Sequence, residues 1–243
     1  TLAIELAKKQ SADIIIGTDP DCDRVGAVVR NTLGEYVVLT GNQTGALLID
    51  YILGSLKKQG RLNDRSTVIN TIVTGKLGEK IAESYNVKTI SVLTGFKYIA
   101  EKIKEFESSG LEFVFGYEES YGYLAGTFVR DKDAVIASML ICEMAAYYKK
   151  KGMTLYEGLM SLFRKYGFYK ESLTSVTFRG KEGMEEMVRL INALRDKLPK
   201  EVSGIKVEEV RDYLDYHGPV RLPKENVLQF ILEDKSWFCI RPS

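Results

Sequence analysis

Short apolar segments alternate with amphipathic segments over the first two thirds of the chain. The apolar segments are rich in Ile and Val and end near Gly, Thr or Asp, as β-strands often do. They are residues 13–18, 66–73, 88–93 and 111–117. Between them, apolar positions recur every three or four residues in 76–85 and 97–110, which predicts two helices, the second ending at Gly110. This alternation predicts an α/β fold with parallel sheets covered by helices.

The pattern changes after about residue 170. A strand, a polar loop and an amphipathic helix are followed by two apolar segments that flank a polar turn, which predicts a β-hairpin. These elements are residues 172–178 (strand), 178–182 (loop), 183–199 (helix), and 226–232 and 236–240 (hairpin strands). This order predicts a small α+β domain.

The most apolar stretch, residues 133–152, predicts a buried helix. Its uncharged run, Ala134–Ile141, is too short to cross a bilayer, and Glu143 follows soon after. The first ten residues carry no signal-peptide pattern and resemble the end of a helix. Because the chain also stops abruptly, we expect it to be a piece of a longer protein.

The composition is typical of a soluble globular protein with more than one domain. The chain has 243 residues, of which 45% are hydrophobic and 28% are charged. The net charge of +1 favours neither nucleic acid nor a membrane as partner. The three cysteines are too widely spaced for a disulfide framework or a zinc site, which favours a cytoplasmic location. The single histidine, His217, is interpreted as a surface-loop residue.

Three aspartates at alternate positions, Asp19, Asp21 and Asp23, follow the first predicted strand, and Arg24 comes next. Alternate side chains of an extended segment point the same way, so the three carboxylates can converge. Such a cluster needs a cation, and oxygen ligands suit Mg²⁺ or Ca²⁺. An EF-hand is excluded because Arg24 and Arg30 occupy the positions that require Gly and Glu. A magnesium ion beside an arginine indicates phosphoryl chemistry.

Two other interpretations of this loop remain open from the residues alone. Asp-Pro-Asp also forms ordinary turns, in which Asp accepts hydrogen bonds from nearby amides. A phosphatase with an aspartate nucleophile would carry Asp-x-Asp followed by Thr or Val, although Asp23 stands at that place here. Ligands of parallel sheets bind beyond the carboxyl ends of the strands, so the loops after residues 18, 93 and 117 are candidate sites.

The segment GTDPDCDRVG resembles the metal loop of the α-D-phosphohexomutase family, which includes the phosphoglucomutases and phosphomannomutases. The family loop reads Asp-x-Asp-Gly-Asp-Arg, and Cys22 stands at the glycine; as a small uncharged residue it should preserve the loop. The resemblance implies that the three aspartates bind Mg²⁺ and that Arg24 belongs to the catalytic machinery. The segment GYEESYGYL resembles the sugar-binding loop Gly-Glu-Glu-Ser-Phe-Gly, with Tyr117 at its first glycine. It implies that Glu118 and Ser120 hold sugar hydroxyls.

Three shorter stretches resemble other loops of the family less specifically. TGFK resembles Thr-Gly-Trp-Lys and would place Thr94 near the substrate. VRDKDAV resembles Arg-Glu-Lys-Asp-Gly, which implies that Lys132 faces the active site as a charge partner or a proton donor. CIRPS matches the start of the phosphate-binding loop Arg-Pro-Ser-Gly-Thr-Glu-Pro, so Arg241 and Ser243 would begin a phosphate cradle.

The resemblance covers nearly the whole chain and implies parallel-sheet domains of the phosphohexomutase type followed by the small α+β domain. Residues 1–60 would complete a second domain, 61–170 would form a third, and 171–243 would form an incomplete phosphate-binding fourth. In the family, a phosphoserine in the first domain holds the transferred phosphate, in a Thr-Ala-Ser-His-Asn-type segment. No such segment occurs here, so we expect this chain alone to be inactive.

For the longer protein, the resemblance implies a Mg²⁺-dependent phosphoglucomutase whose partners are hexose phosphate and hexose 1,6-bisphosphate. The glucose type is favoured because EESYG is nearer to Glu-Glu-Ser-Phe-Gly than to the Glu-x-Ser-Gly-His of the mannose enzymes. A phosphomannomutase, a phosphopentomutase and a non-catalytic sugar-phosphate-binding module remain alternatives.

Purely structural roles are also open for single residues. The carboxylates of Glu118 and Glu119 could be solvated loop charges, and Lys132 could be an exposed surface lysine. Thr94 and Gly95 could form an ordinary helix cap. Tyr121 and Tyr123 are expected to be packing residues.

Overall fold

A computed structural model describes residues 2–218, 220 and 222–242 of the chain. The chain forms two compact units, Thr1–Glu171 and Ser172–Ser243. Each unit contains its own cluster of buried apolar side chains, so each has a hydrophobic core of its own.

The first unit opens with a helix and a small antiparallel sheet. The elements are α1 (Leu2–Gln10), β1 (Ile14–Thr18), β2 (Val25–Arg30) and β3 (Tyr36–Val38), with strand order β1-β2-β3. The strand predicted over 13–18 is confirmed, but its expected place in a parallel sheet is wrong because β1 pairs antiparallel with β2. The short connection between β1 and β2 allows a chain reversal, whereas parallel pairing needs a crossover of about a dozen residues or more.

A second sheet confirms the predicted parallel α/β arrangement. Its strands are β4 (Ser66–Thr71), β5 (Lys88–Val92), β6 (Glu112–Tyr117) and β7 (Tyr123–Ala125), in the order β5-β4-β6-β7. β4 pairs parallel with β5 and β6, and β7 pairs antiparallel with β6. The helices α3 (Lys76–Ser84) and α4 (Phe96–Ser109) are the crossovers, as predicted. Gly110 ends α4 with φ 75°, a left-handed conformation that glycine adopts without strain.

Three more helices complete this unit: α2 (Gly41–Lys58), α5 (Ala134–Lys150) and α6 (Leu155–Tyr166). The helix predicted over 133–152 is confirmed as α5, but it is buried on one face only, since Val135 and Met139 are exposed. Its N-cap, Asp133, accepts hydrogen bonds from the N–H groups of Val135 and Ile136. α2 and α6 each start with a capping box, at Thr40 and Thr154. No helix in the described residues is both long and apolar enough to cross a membrane.

Tyr117, the last residue of β6, packs between two helices. Its side chain is fully buried, and a Cβ added to Gly45 of α2 or to Gly78 of α3 would collide with its ring or its hydroxyl. The two glycines therefore leave the space that this aromatic ring fills.

The second unit is a helix with an antiparallel sheet. Its elements are α7 (Gly180–Asp196), β8 (Glu201–Val202), β9 (Ile205–Asp212), β10 (Leu228–Leu232) and β11 (Trp237–Ile240), with strand order β11-β10-β9-β8. The predicted hairpin is confirmed as the pair β10–β11, and the predicted helix as α7. Ile191 of α7 packs in one cluster with Leu228 and Phe230 of β10.

The strand predicted over 172–178 is wrong. These residues form neither helix nor strand, and Leu173 is 89% exposed. A β-prone segment without a partner strand gains neither ladder hydrogen bonds nor burial. The loop predicted over 178–182 is wrong at its end, because α7 already begins at Gly180.

Candidate functional site

The loop between β1 and β2, residues 19–24, is called the metal loop below. Asp19 Oδ1 accepts hydrogen bonds from the backbone N–H groups of Asp23 (3.2 Å) and Arg24 (3.0 Å), and its Oδ2 accepts one from Arg24 Nε at 2.7 Å. The backbone N–H of Arg24 is the largest of several contacts that lower the pKa of Asp19 to about 2. Asp19 therefore shapes the turn with one oxygen and pairs with Arg24 through the other.

The metal loop brings its three aspartates together. One carboxylate oxygen each from Asp19, Asp21 and Asp23 lies within 4.8 Å of the others. Asp23 Oδ1 is buried and accepts no hydrogen bond from any described residue, although Arg24 Nε lies 3.4 Å away. Three convergent carboxylates, one of which also has a buried oxygen without a hydrogen bond, fit a hard divalent cation such as Mg²⁺. The hydrogen bonds from backbone N–H groups to Asp19 are those of an ordinary turn. The loop is therefore both an Asp-based turn and a cluster of convergent carboxylates.

Cys22 adopts a backbone conformation that favours glycine. Its φ is 58°, in the left-handed region. Its carbonyl accepts a hydrogen bond from Ala134 N, at the start of α5, at 3.1 Å, and its N–H donates to Asp19 O at 3.0 Å. The expectation that the loop survives without glycine agrees with this geometry, because both backbone contacts hold the residue in place.

The loop between β6 and β7, residues 118–122, is called the sugar loop below. Glu118 is 3% exposed, and its Oε1 accepts a hydrogen bond from the backbone N–H of Gly95 at 2.8 Å. Burial raises the pKa of Glu118, and the Gly95 hydrogen bond opposes that rise. A solvated loop charge is therefore excluded for this residue. Ser120 is exposed, and Tyr121 has a left-handed φ of 71°.

Lys132 connects the two loops. Its Nζ lies 2.8 Å from Asp23 Oδ2, and its side chain is 20% exposed, so the interpretation as a free surface lysine is wrong. Partial burial is the largest single influence and disfavours the charged form, but the hydrogen bond to Asp23 and the attraction of the Asp23, Glu118 and Asp131 carboxylates together outweigh it, so the pKa of Lys132 is raised. A Cβ added to Gly122 would collide with the Lys132 stem and lie 3.4 Å from Glu118 Oε2. The lysine stem thus crosses the sugar loop at Gly122, beside Glu118.

Backbone hydrogen bonds also join the metal loop to the sugar loop. Val25 N, directly after the metal loop, donates to Tyr121 O at 3.1 Å, and Arg24 and Gly122 form an isolated antiparallel bridge. Within the sugar loop, Glu118 N donates to Gly122 O at 2.9 Å. The aspartate cluster and the predicted sugar-binding residues therefore lie side by side.

The loop after β5 adds Thr94 and Gly95 to this site. Thr94 Oγ1 is buried and has no hydrogen-bond partner among the described residues. Gly95 is the N-cap of α4, and no side chain caps that helix, so Thr94 does not act as a cap. The loops after residues 18, 93 and 117 are thus connected through Glu118, Lys132 and the backbone.

The remaining predicted residues have other surroundings. Arg241 follows β11 in the second unit and is exposed, and Ser243 lies outside the described residues. His217 has an exposed side chain, as expected, and its Nε2 lies 3.3 Å from Asp215 Oδ1. Tyr123 is 1% exposed and stacks on Phe115, which confirms it as a packing residue. Tyr121 is partly buried against the same core, also as expected.

Sequence reasoning missed a fourth group at this edge of the sheet. Glu119 Oε2 accepts a hydrogen bond from Thr71 Oγ1, at the end of β4, at 3.2 Å, and Thr71 Oγ1 lies 2.9 Å from Thr74 Oγ1. Both threonines are fully buried. Only part of the signal was available: β4 was a predicted strand whose carboxyl end should reach the same edge as those of its neighbours, but the strand order that puts Thr71 next to Glu119 was not.

Comparison with known proteins agrees with this arrangement. A family model for phosphoglucomutase/phosphomannomutase, alpha/beta/alpha domain III, matches residues 40–166. The phosphoglucomutase of Staphylococcus haemolyticus is 38% identical over 251 residues, and that of Staphylococcus epidermidis is 39% identical over 250 residues. These alignments cover 100% and 99% of this chain, but the chain spans only 45% of the length of either relative.

Solved structures show the same fold. A Thermus thermophilus protein assigned as a phosphomannomutase aligns with a TM-score of 0.64 at 19% identity, over 100% of this chain and 43% of that one. The Paramecium phosphoprotein pp63/parafusin, a phosphoglucomutase, aligns with a TM-score of 0.63 at 19% identity, over 94% of this chain and 38% of that one. With a family model that matches just over half of its residues, the chain belongs to the phosphoglucomutase/phosphomannomutase family.

Proposed function

We propose that this chain is the part of a phosphoglucomutase that carries the metal loop and the sugar loop. The longer protein would interconvert glucose 1-phosphate and glucose 6-phosphate through a phosphoserine and glucose 1,6-bisphosphate. The observation that carries the proposal is that the two loops lie side by side. Arg24 and Gly122 form a backbone bridge, Val25 N donates to Tyr121 O, and Lys132 passes Gly122 to pair with Asp23. Relatives with the name phosphoglucomutase support the choice of glucose.

The aspartate cluster supplies the charge for a metal site. Asp19, Asp21 and Asp23 would hold Mg²⁺ through one oxygen each. When bound, Mg²⁺ would neutralise negative charge on the phosphoryl group that is transferred. Arg24 and Lys132 balance two of the three carboxylates, so the loop keeps a net negative charge that favours a divalent cation.

The neighbouring side chains would bind and orient the sugar phosphate. Glu118 and Ser120 would hold hydroxyl groups, and Thr94 offers a buried hydroxyl that has no partner within the described residues. Lys132 is held in its charged form by Asp23 and would stabilise negative charge between the two loops. Arg241 and Ser243 would begin the cradle for the phosphate that does not react, since Arg suits phosphate oxygens.

We further propose that this chain alone does not turn over its substrate. None of its 243 residues forms a Thr-Ala-Ser-His-Asn-type segment, and its only histidine is followed by Gly218 and Pro219. Without a serine to carry the phosphate, the residues of this chain can bind and orient the sugar phosphate but cannot exchange its phosphate.

Binding and turnover test the two parts of this proposal separately. Titration of ¹⁵N-labelled chain with glucose 1,6-bisphosphate and Mg²⁺ should shift amide signals of both loops, and Glu118→Gln should weaken that binding. A coupled assay with glucose 1-phosphate should detect no product from the chain, but should detect product from the full-length protein that contains it. If the full-length protein prefers a mannose or pentose phosphate, glucose phosphate is not its substrate. If the full-length protein binds sugar phosphate without turnover, it is a non-catalytic module.

A further inference from the structure

The sugar loop carries two adjacent glutamates whose side chains have different partners. Glu118 accepts its hydrogen bond from Gly95 N, at the start of α4. Glu119 accepts one from Thr71 Oγ1, at the end of β4. Because like charges repel, two neighbouring carboxylates on one short loop are favoured when they point to separate donors. The sugar loop is therefore hydrogen-bonded both to the connection between β5 and α4 and to the carboxyl end of β4.

The Thr71 hydroxyl is itself held in a fixed orientation. Thr71 N donates to Thr74 Oγ1 at 3.1 Å, and the two hydroxyl oxygens are 2.9 Å apart. An ionised carboxylate can only accept, so Thr71 must donate its hydroxyl proton to Glu119. Thr74 then donates its own hydroxyl proton to Thr71. This assignment gives a chain of donors that runs from Thr74 through Thr71 to Glu119, in which each bond polarises the next.

The backbone of the sugar loop needs such a restraint. Tyr121 has φ 71°, which is uncommon for a residue other than glycine and persists only where the surroundings hold it. On the metal-loop side, Val25 N holds Tyr121 O. On the other side, the carbonyl of Glu119 lies close to Gly41, where only a glycine leaves room for it. The Glu119–Thr71 hydrogen bond stabilises that second side.

We propose that Glu119 is a positioning residue, which fixes the sugar loop to β4 through Thr71 so that Glu118 and Ser120 face the metal loop. This inference rests on the proposed function of the sugar loop as the part that binds sugar hydroxyls. Glu119 itself makes no contact with the aspartate cluster among the described hydrogen bonds and ion pairs. Its loss should therefore weaken sugar-phosphate binding and leave metal binding unchanged.

The first experiment measures the loop directly in the 243-residue chain. Thr71→Val removes the hydroxyl at nearly constant shape, and Thr71→Ser keeps it as the matched control. We expect amide hydrogen exchange over residues 118–122 to become about tenfold faster in the valine variant, with the serine variant near wild type. Equal exchange in both variants would overturn the proposal.

A second pair of variants covers the case in which valine at the buried position 71 disturbs folding. Glu119 lies on a loop and is only partly buried, so Glu119→Ala should fold. It should show the same faster exchange, whereas Glu119→Gln, which keeps an oxygen acceptor, should restore protection. Exchange that is unchanged in the alanine variant would contradict the role of Glu119.

Ligand titration links the loop to binding. Glu119→Ala should weaken the affinity for glucose 1,6-bisphosphate by about fivefold and leave the affinity for Mn²⁺, used as a probe of the metal loop, within about twofold. Equal losses for both ligands would indicate general destabilisation and would count against a positioning role. If the wild-type chain binds no sugar phosphate, the proposed function fails, and hydrogen exchange still decides whether Glu119 fixes the loop.

Discussion

Lys132 lies where the metal loop and the sugar loop meet, and its charge acts on both. Its Nζ contacts Asp23 Oδ2 at 2.8 Å, and its stem crosses Gly122 beside Glu118. At the residue scale, the site is therefore a balance of charges, in which one ammonium group already pairs with a carboxylate of the aspartate cluster.

Lys132→Met should strengthen divalent-cation binding. Removal of one positive charge from Asp23 should raise Mn²⁺ affinity by at least about tenfold, since a unit charge at about 3–4 Å contributes about 1–1.5 kcal/mol even at the dielectric constant of water. Isothermal titration of the chain measures this. Lys80→Met is the matched control, because Lys80 pairs with Glu83 on α3 and its loss changes the net charge equally. Unchanged or weaker binding by Lys132→Met would show that the lysine does not compete with the cation.

Asp19 should make folding stability sensitive to acid. Its pKa is lowered from 3.8 to about 2, mainly by the backbone N–H of Arg24, so its contribution is fully present above about pH 4. That contribution is lost as the pH falls toward 2, where the folded protein must also protonate the group. Urea unfolding between about pH 5 and about pH 2.5 should show a smaller loss of stability in Asp19→Asn than in wild type. Asp21→Asn, which leaves the Asp19 contacts in place, should behave as wild type.

The metal loop was largely predictable at this scale, whereas Glu119 was not. Alternate aspartates indicate a convergent cluster because side-chain direction in an extended segment has a period of two. The φ of 58° at Cys22 could not be derived from its residue type, which rarely adopts it. The partner of Glu119 depends on which strand lies beside β6, and one sequence without the sheet order does not contain that information.

At the scale of elements, the site depends on how closely β6 approaches α2 and α3. Tyr117 ends β6 directly before the sugar loop, and its buried ring occupies the space left by Gly45 and Gly78. The position of the sugar loop is therefore set by helix packing beneath it as well as by its own hydrogen bonds.

Gly45→Ala should destabilise the first unit although alanine favours helix. The added methyl group would collide with the ring of Tyr117, which is enclosed and cannot move away, so we expect a loss of about 1–3 kcal/mol in the free energy of unfolding. Urea unfolding followed by circular dichroism measures this. Gly17→Ala in β1 is the control, since an added Cβ there meets no atom within 4 Å. Equal stability of both variants would show that the Tyr117 ring can shift.

Element types were predicted best where local pattern and burial agree. The run of Ile and Val before Asn70 marks β4, which is buried at every position, and α4 follows its apolar period to Gly110. The antiparallel pairing of β1 was not predicted because β2 was not recognised. Residues 172–178 have the composition of a strand but no partner, and strand formation depends on pairing more than on composition.

At the scale of the whole chain, two units with separate cores are joined through an exposed segment. Residues 172–179 are exposed and form neither helix nor strand. Such segments fit a protease cleft more readily than packed elements do.

Limited digestion with a nonspecific protease should cut first within residues 172–179. Cleavage there should leave a stable product that ends near Glu171, since the first unit has its own core. Mass spectrometry of early digestion products identifies the cut. The exposed residues 126–130 serve as an internal comparison, because they are tied to the first unit at both ends. First cleavage at 126–130 would contradict the prediction.

The close passage of Lys132 over Gly122 limits how this site could be re-engineered for another sugar. A library that varies Ser120, which is exposed, could change hydroxyl recognition without disturbing its neighbours. Any side chain at position 122 would instead displace the stem of Lys132. The lysine would then no longer hold its positive charge between Asp23 and the sugar loop. Designs for new substrates should therefore keep this glycine and diversify the residue two positions earlier.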